Sequence, residues 1–248
     1  MQTNIIKGKS PAPSRILIYG PEGIGKSSIA AQAPAAIFLP TEDGLNQIDC
    51  SRFPLITSWS AMLSALDELV AGGHDYRTVV IDSLDWLEKL IWEHVCDHYA
   101  AETIEQVLGG YGKGYTVALN EWAKVIEKLD TLRSKGMSVI LVAHHKIEKW
   151  EEPGESSYDR YSPRLNKHAT AYVTEWVDAV LFLHLQTMSP KTEDQGFNRK
   201  RSVVNKMAVK RVIECHPGPA WVAKNRFNMP GQIDMTWAAI VAAIANGR

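Results

Sequence analysis

The chain has 248 residues, of which 45% are hydrophobic and 22% charged, and its formal net charge is −1. These values are typical of a folded globular protein and argue against a disordered chain or a histone-like polycation. No apolar run is long enough for a membrane span, the start lacks the apolar core of a secretory signal, and the three cysteines lack metal-ligand spacing. We therefore expect a cytoplasmic protein with no membrane partner, disulfide framework or zinc site.

The chain is predicted to form one domain preceded by a short arm. Residues 1–14 form the arm, whose second half is rich in lysine, serine and proline. Residues 15–248 contain no internal repeat, no low-complexity tract and no interdomain linker, so we expect a single domain.

Apolar runs and helical patterns alternate along the first 143 residues. The apolar runs that predict strands are at 15–19, 36–39, 78–81 and 138–143. Helical composition or spacing predicts the helices at 26–33, 59–70, 84–95 and 122–132. This alternation is typical of a mostly parallel sheet with helices on both faces.

The last third of the chain has a different pattern. A polar stretch at 146–168 predicts a long loop. Apolar runs at 179–183, 203–213 and 219–223 predict antiparallel strands, and a closing helix is predicted from Met235. The predicted fold is therefore α/β, with a mostly parallel core sheet extended at one edge by antiparallel C-terminal strands.

Residues 20–27 fit the phosphate-binding motif G-x-x-x-x-G-K-[ST], and they follow a predicted strand and open a predicted helix. In such a loop the backbone N–H groups surround a phosphate, the lysine reaches the terminal phosphates and the hydroxyl can ligate Mg²⁺. The sequence thus predicts ATP and Mg²⁺ as cofactors. The predicted nucleotide-binding residues are Gly20, Pro21, Glu22, Gly23, Ile24, Gly25, Lys26, Ser27 and Ser28.

Two carboxylates are candidates for the chemistry beside this loop. Asp82 ends a predicted strand, where an acidic residue can bind Mg²⁺ together with Ser27; capping of the following helix is the alternative role. Since Asp82 is followed by Ser83 and not by glutamate, the water-activating carboxylate must come from elsewhere. Glu42 follows the strand at 36–39 at the carboxyl edge, where an open α/β sheet binds its ligand.

In chain order, four features of residues 15–226 resemble the RecA-type ATPases. They are Glu42 after the second core strand, Asp82-Ser83 entering a helix, a glycine-rich loop at 109–115 between two helices, and His144-His145 before a polar stretch. The resemblance is closest to the short phage-encoded RecA-like proteins of the Sak group, which are implicated in single-strand annealing and recombination. It implies a RecA-like P-loop core with DNA-stimulated ATP hydrolysis, in which Glu42 and Lys26 are catalytic. It also implies that His144 or His145 takes the place of the family's glutamine sensor of the γ-phosphate.

The same resemblance implies partners. These are single-stranded DNA and further copies of the chain, in a ring or filament with ATP at the subunit interfaces, in the cytoplasm of a phage-infected or bacterial cell. Lys224-Asn225-Arg226 matches the Lys-x-Arg pair that reaches the γ-phosphate of a neighbouring subunit in this family. Two solvated side chains on an edge strand are the alternative.

Three segments carry the predicted DNA contacts. Residues 158–168 alternate aromatic and basic side chains, residues 196–213 contain six basic and no acidic residues, and the glycine-rich loop contains one lysine. A solvated loop and an exposed hairpin are the alternatives for the first two. The predicted DNA-binding residues are Lys113, Arg160, Arg164, Lys167, Arg199 and Arg201.

Two other functions remain open at this point. One is a P-loop kinase acting on a small molecule, in which Glu42 has no clear duty. The other is a KaiC-like regulatory ATPase whose partner is a protein. Nucleotide-dependent binding of single-stranded DNA separates the recombination hypothesis from both.

Overall fold

A computed structural model describes residues 7, 8, 10, 12–151, 156–188 and 208–247. The strands in this part of the chain are β1 Arg15–Gly20, β2 Ala36–Pro40, β3 Ser51–Arg52, β4 Thr78–Asp82, β5 Ser138–Trp150, β6 Tyr158–Pro163, β7 Ala179–Met188, β8 Ala208–Glu214, β9 Lys224–Asn225 and β10 Gln232–Asp234. The α-helices are α1 Lys26–Ala30, α2 Trp59–Ala71, α3 Leu84–Tyr99, α4 Lys113–Ser134, α5 Lys167–Trp176 and α6 Trp237–Gly247. A 3₁₀ turn, Val107–Gly109, precedes α4.

The strands form one sheet in the order β10-β8-β7-β1-β5-β4-β2-β3, with β6 paired to β5 and β9 paired to β7. The strands from β7 to β3 in this order run parallel, whereas β8 and β10 pair antiparallel at the other end. The predicted α/β fold, with a mostly parallel sheet extended by antiparallel C-terminal strands, is therefore confirmed.

The register brings the carboxyl ends of the central strands to one edge. Gly20 of β1 lies opposite His144 of β5, and Pro40 of β2 lies opposite Asp82 of β4. Polar and charged side chains at the ends of these strands, or directly after them, therefore lie at one edge of the sheet.

The central strands are buried on both faces, which explains their nearly continuous apolar sequences. Alternate residues of β1 enter two different cores: Leu17 and Tyr19 pack with α2, α3, α4 and α5, whereas Ile16 and Ile18 pack with α1 and α6. The expected helices on both faces are thus present. Within the described residues, no helix is long and apolar enough to cross a membrane.

Three local predictions were wrong. The predicted loop at 146–168 is instead the end of β5, the antiparallel strand β6 and the start of α5, because oppositely charged residues such as Glu148 and Arg160 pair across the hairpin. The run that begins at Ala179 is not an antiparallel edge strand, since β7 lies parallel beside β1 in the core. Residues 219–223 form no strand, and pairing with β7 begins only at Lys224.

Candidate active site

The phosphate-binding loop connects β1 to α1. Gly20 must be glycine, because a Cβ atom there would lie 2.3 Å from the carbonyl oxygen of Leu183 in β7. Lys26 folds back over the loop, where its Nζ donates to the carbonyl oxygens of Gly20 at 3.2 Å and Pro21 at 2.9 Å. Burial lowers the pKa of Lys26, although nearby carboxylates, led by Asp82, oppose that effect. The loop thus holds an ammonium group inside a cavity that opens to one side.

Asp82 at the end of β4 accepts a hydrogen bond from the Ser27 hydroxyl of α1. Burial raises the pKa of Asp82 to about 6, and the Ser27 hydrogen bond only partly counters it. A hydroxyl and a buried carboxylate that lacks full charge compensation are hard oxygen donors of the kind that Mg²⁺ prefers. These two residues fit the cation and would hold it, and Mg²⁺ would there supply positive charge beside the nucleotide phosphates.

In the described ranges, no group of three or more histidine, cysteine, aspartate and glutamate side chains is placed to hold a metal ion.

Glu42 is placed by the residue before it. The Thr41 hydroxyl donates to the carbonyl oxygen of Ser83 at 2.7 Å and accepts from the Ser83 N–H at 2.9 Å, and the Thr41 N–H donates to the carbonyl oxygen of Asp82 at 2.8 Å. Three hydrogen bonds therefore fix the end of β2 to the end of β4. They bring Glu42 to the cavity, which has a volume of about 340 Å³ and is also lined by Gly23, Gly25, Lys26, Ser27, Ser28, Asp43, Gly44, Ile48 and His144.

The two histidines at this edge face different cavities. His144 lines the nucleotide cavity, and its Nε2 lies 3.9 Å from Oε1 of Glu42. His145 points the opposite way, since neighbours on a strand alternate, and its ring lies 5.3 Å from the ring of Tyr161. Of the two sensor candidates, the structure therefore brings only His144 to Glu42 and Lys26.

The second cavity adjoins the outer side of the phosphate-binding loop. It has a volume of about 310 Å³, and its lining includes His145, Tyr161, Phe182, His184, Arg211 and residues 21–24. Arg211 of β8 is exposed and approaches Gly25 of the loop. Among the described residues, no ion pair engages Arg211, so its charge is available to a ligand.

Asp85 adjoins the candidate site through His144, and the sequence prediction left it out of the site. It lies in the first turn of α3, and its side chain is 4% exposed. Burial opposes its ionisation, but hydrogen bonds from His144 and Arg164 outweigh burial and hold the pKa of Asp85 well below its usual range. The available signal was its position in the first turn of the helix that directly follows Asp82.

Two of the predicted DNA-binding arginines are engaged within the protein. Arg164 donates from Nη2 and Nε to Oδ2 of Asp85 at 2.7 and 3.3 Å, and its Nη1 lies 3.5 Å from Oε1 of Glu22. Arg160 donates to Glu148 at 3.2 Å and stacks over the ring of Trp150 at 3.5 Å. Each guanidinium therefore already pairs with a carboxylate of its own chain, and a DNA contact by either arginine stays a prediction.

The other predicted DNA contacts are placed differently. Lys113 and Lys167 are exposed at the first residues of α4 and α5. Arg199 and Arg201 lie outside the described residues.

Lys224 and Arg226 do not reach the phosphate-binding loop of their own chain. Lys224 lies opposite Val180 near the start of β7, away from the edge that carries the loop. Its Nζ donates to the last carbonyl oxygens of α5, those of Thr174 and Glu175, at 2.8 and 2.6 Å. Arg226 lies 3.7 Å from Asp178. Arg226 also donates to the carbonyl oxygen of Glu175 at 3.5 Å, and its side chain is 52% exposed. A role across a subunit interface stays a prediction for both residues.

With this geometry in view, the chain can be compared with known proteins. Residues 12–227 match the model of a family described as the AAA domain. The chain belongs to this AAA domain family. This is a P-loop ATPase family, and the phosphate-binding loop of this AAA-domain protein lies within the matched residues.

Two relatives illustrate the range of the similarity. The SPbeta prophage-derived uncharacterized protein YorG of Bacillus subtilis strain 168 is 26% identical over 217 residues, which are 86% of this chain and 59% of that protein. The AAA-domain protein thus spans 59% of the length of this curated relative. Among solved structures, a KaiC-like protein from Pyrococcus horikoshii OT3 matches with a TM-score of 0.44 and 13% identity over 82% of this chain and 79% of that one.

Proposed function

We propose that this AAA-domain protein hydrolyses ATP to control its binding to single-stranded DNA, as a phage-type recombination protein acting in the cytoplasm. The single observation that carries the ATPase part is that Lys26, Glu42 and His144 line one cavity beside the phosphate-binding loop, with Asp82 hydrogen-bonded to Ser27 in the lining of that cavity. No one of these side chains has an evident duty without the others. A nucleotide with a γ-phosphate gives all four a common substrate.

The chemistry assigns one role to each group. The oxygen of a water molecule bonds to the γ-phosphorus, the bond from that phosphorus to the bridging oxygen of ADP breaks, and Glu42 accepts the proton of the water. Lys26 balances negative charge on the phosphate oxygens. The buried carboxylate of Asp82, together with Ser27, would hold Mg²⁺.

The DNA part of the proposal rests on exposed cations and aromatic groups. Lys113 and Lys167 are exposed, Arg211 has no ion pair in the described ranges, and Tyr111 in the glycine-rich loop is 99% exposed. Cations for the backbone and exposed aromatic rings for the bases are the two features that single-strand binding requires. The prophage origin of the relative YorG is compatible with a phage function, and a Sak-type role in annealing or recombination is the specific form that we propose.

We further propose that the active unit is a homo-oligomer with ATP at the subunit interfaces. The Arg226 side chain is 52% exposed and lies on a different edge of the domain from the nucleotide cavity. A residue so placed can meet the ATP of a neighbouring copy, and it cannot meet its own.

The proposal is tested by measuring ATP turnover and binding of labelled oligo-dT with and without nucleotide. Turnover without an added phosphate acceptor, stimulated by oligo-dT, is the expected result. The double variant Lys113→Ala/Lys167→Ala should weaken DNA binding and make its salt dependence shallower by about 0.7 in log–log slope for each phosphate that it no longer binds. Lys128→Ala is the matched control, because Lys128 lies on α4 like Lys113 but pairs with Asp67.

Three results would contradict this proposal. If the protein binds oligo-dT neither with nor without nucleotide, the DNA-binding function is excluded. An ATPase that DNA does not stimulate but a protein partner does would favour the KaiC-like regulatory alternative. Turnover that requires a small-molecule acceptor would favour the kinase.

A further inference from the structure

The two ring nitrogens of His144 have different partners. Nδ1 lies 3.2 and 3.1 Å from Oδ1 and Oδ2 of Asp85, and the main-chain N–H of His144 donates to the same Oδ1 at 3.1 Å. An ionised carboxylate only accepts hydrogen bonds, so the proton of the neutral imidazole belongs on Nδ1. Asp85 therefore selects one tautomer of His144.

In that tautomer Nε2 carries a lone pair, and it faces Glu42. The 3.9 Å between Nε2 and Oε1 of Glu42 is too long for a direct hydrogen bond. Two acceptors at this spacing can bracket one water molecule whose oxygen lies about 2.8 Å from each. Such a water donates one hydrogen to each acceptor and keeps its own lone pairs free for attack.

We propose that His144 and Glu42 together hold the attacking water, and that Asp85 and Arg164 are positioning residues that keep His144 in the Nδ1–H form. The inference rests on the ATPase function proposed above. It gives His144 a duty different from the γ-phosphate sensor that the RecA resemblance implies. Glu42 remains the group that accepts the proton, whereas His144 accepts only a hydrogen bond and ends the step unchanged.

Arg164 completes the arrangement by fixing Asp85. Its two donors bind Oδ2 of Asp85, Oδ1 accepts from the main-chain N–H of His144, and both oxygens face the ring Nδ1. The main-chain N–H of Arg164 donates to the carbonyl oxygen of His144 at 2.8 Å. The guanidinium also approaches Glu22 in the phosphate-binding loop. The contacts of Arg164 thus favour a positioning role over the predicted DNA contact.

The tautomer can be measured directly. We would record long-range ¹⁵N–¹H correlation spectra of the full chain labelled at histidine nitrogen, without nucleotide, at a pH where the rings are neutral, and assign His144 by its loss in His144→Gln. The expected spectrum shows hydrogen on Nδ1 and none on Nε2. The opposite tautomer in the wild-type chain would overturn the proposal, and this reading needs no variant at Asp85.

Asp85→Asn tests the positioning role. The substitution replaces one accepting oxygen by an NH₂ donor, so Nδ1 of His144 faces one acceptor and one donor where it now faces two acceptors. The Nδ1–H form should therefore become less populated. We expect kcat for ATP to fall about 10- to 100-fold, the size of loss usual when the partner that orients a histidine is removed, with little change in KM. The control Asp97→Asn removes an exposed carboxylate from the same helix and should change neither reading.

Arg164→Gln decides between the two roles of that residue, and it also serves if Asp85→Asn does not fold. A positioning residue should lower kcat in the absence of DNA, whereas a residue that only binds DNA would leave DNA-free turnover unchanged. A changed tautomer with unchanged kcat would refute the water-holding role. A wild-type chain with the expected tautomer but no ATP turnover would refute the proposed hydrolysis instead, so the two failures are distinguishable.

Discussion

A buried carboxylate near the active site makes stability depend on pH in a predictable direction. Glu88 of α3 is 5% exposed, and its two oxygens accept from the main-chain N–H of Asn166 at 3.1 and 2.9 Å. Those hydrogen bonds and Lys146 favour the charged form, but burial outweighs them and raises the pKa of Glu88 from 4.5 to about 7. The folded protein therefore binds this proton more tightly than the unfolded chain does.

The sign and size of the effect follow from that difference. Since the folded-state pKa of Glu88 lies above the unfolded value, the contribution of Glu88 to stability is fully present below pH 4.5 and is lost as the pH rises through about 7. With about 1.4 kcal/mol for each pKa unit, Glu88 should lower the free energy of unfolding by roughly 2 to 3 kcal/mol between pH 5 and pH 8. The neutral variant Glu88→Gln lacks this dependence. Its free energy of unfolding, relative to that of the wild type, should therefore rise by the same amount between pH 5 and pH 8.

Urea denaturation of both proteins at pH 5 and pH 8 measures the effect. Glu93→Gln is the control, because Glu93 lies exposed on the same helix. At each pH we take the free energy of unfolding of the variant minus that of the wild type, and we compare this difference between pH 5 and pH 8. Any effect of the substitution that does not depend on pH cancels in this comparison. A difference between Glu88→Gln and the wild type that stays constant from pH 5 to pH 8 would show that Glu88 is charged in the fold and would refute the reasoning.

Three further predictions concern the nucleotide. Lys26→Ala should lose most ATP affinity, whereas Glu42→Gln should still bind ATP while hydrolysis falls roughly 10²- to 10⁴-fold, as binding isotherms and turnover will show; near-normal turnover of Glu42→Gln would remove Glu42 as the base. Because the pKa of Asp82 is raised to about 6, Mg²⁺-dependent nucleotide affinity in calorimetry should fall about tenfold per pH unit below that value, and a flat profile would contradict the raised pKa. Arg226→Ala should hydrolyse ATP poorly alone and recover part of the activity when it co-assembles with Lys26→Ala, since mixed interfaces restore both halves of a site; full activity of Arg226→Ala alone would exclude a role across the interface.

Much of the fold and of the nucleotide site could be predicted from local patterns. The phosphate-binding loop is a contiguous motif, and the strand ends that place Glu42 and Asp82 follow from apolar runs and from the shared carboxyl edge of a parallel sheet. These inferences need only short-range sequence and one rule of topology. The alternation of strands and helices likewise fixed the class of the core.

The remaining features depend on pairings that no local pattern contains. To choose between His144 and His145, one must know which of the two side chains faces the nucleotide cavity at the point where β5 leaves the core. Arg164 and Arg160 fit a DNA-binding composition, but only the folded hairpin shows that Asp85 and Glu148 engage them. Asp85 and Arg164 are 79 positions apart in the sequence, so their pairing can be identified only in the folded chain.

The length of β5 has a mechanical consequence. The strand continues without interruption from His144 to Trp150, about 20 Å at 3.3 Å per residue, and antiparallel pairing with β6 stiffens its outer half. The described parts of β5 and β6 therefore form a paired extension of the sheet, and the His144 imidazole beside Glu42 lies where that extension joins the core. A displacement of the paired strands as one unit would change the distance between His144 and Glu42.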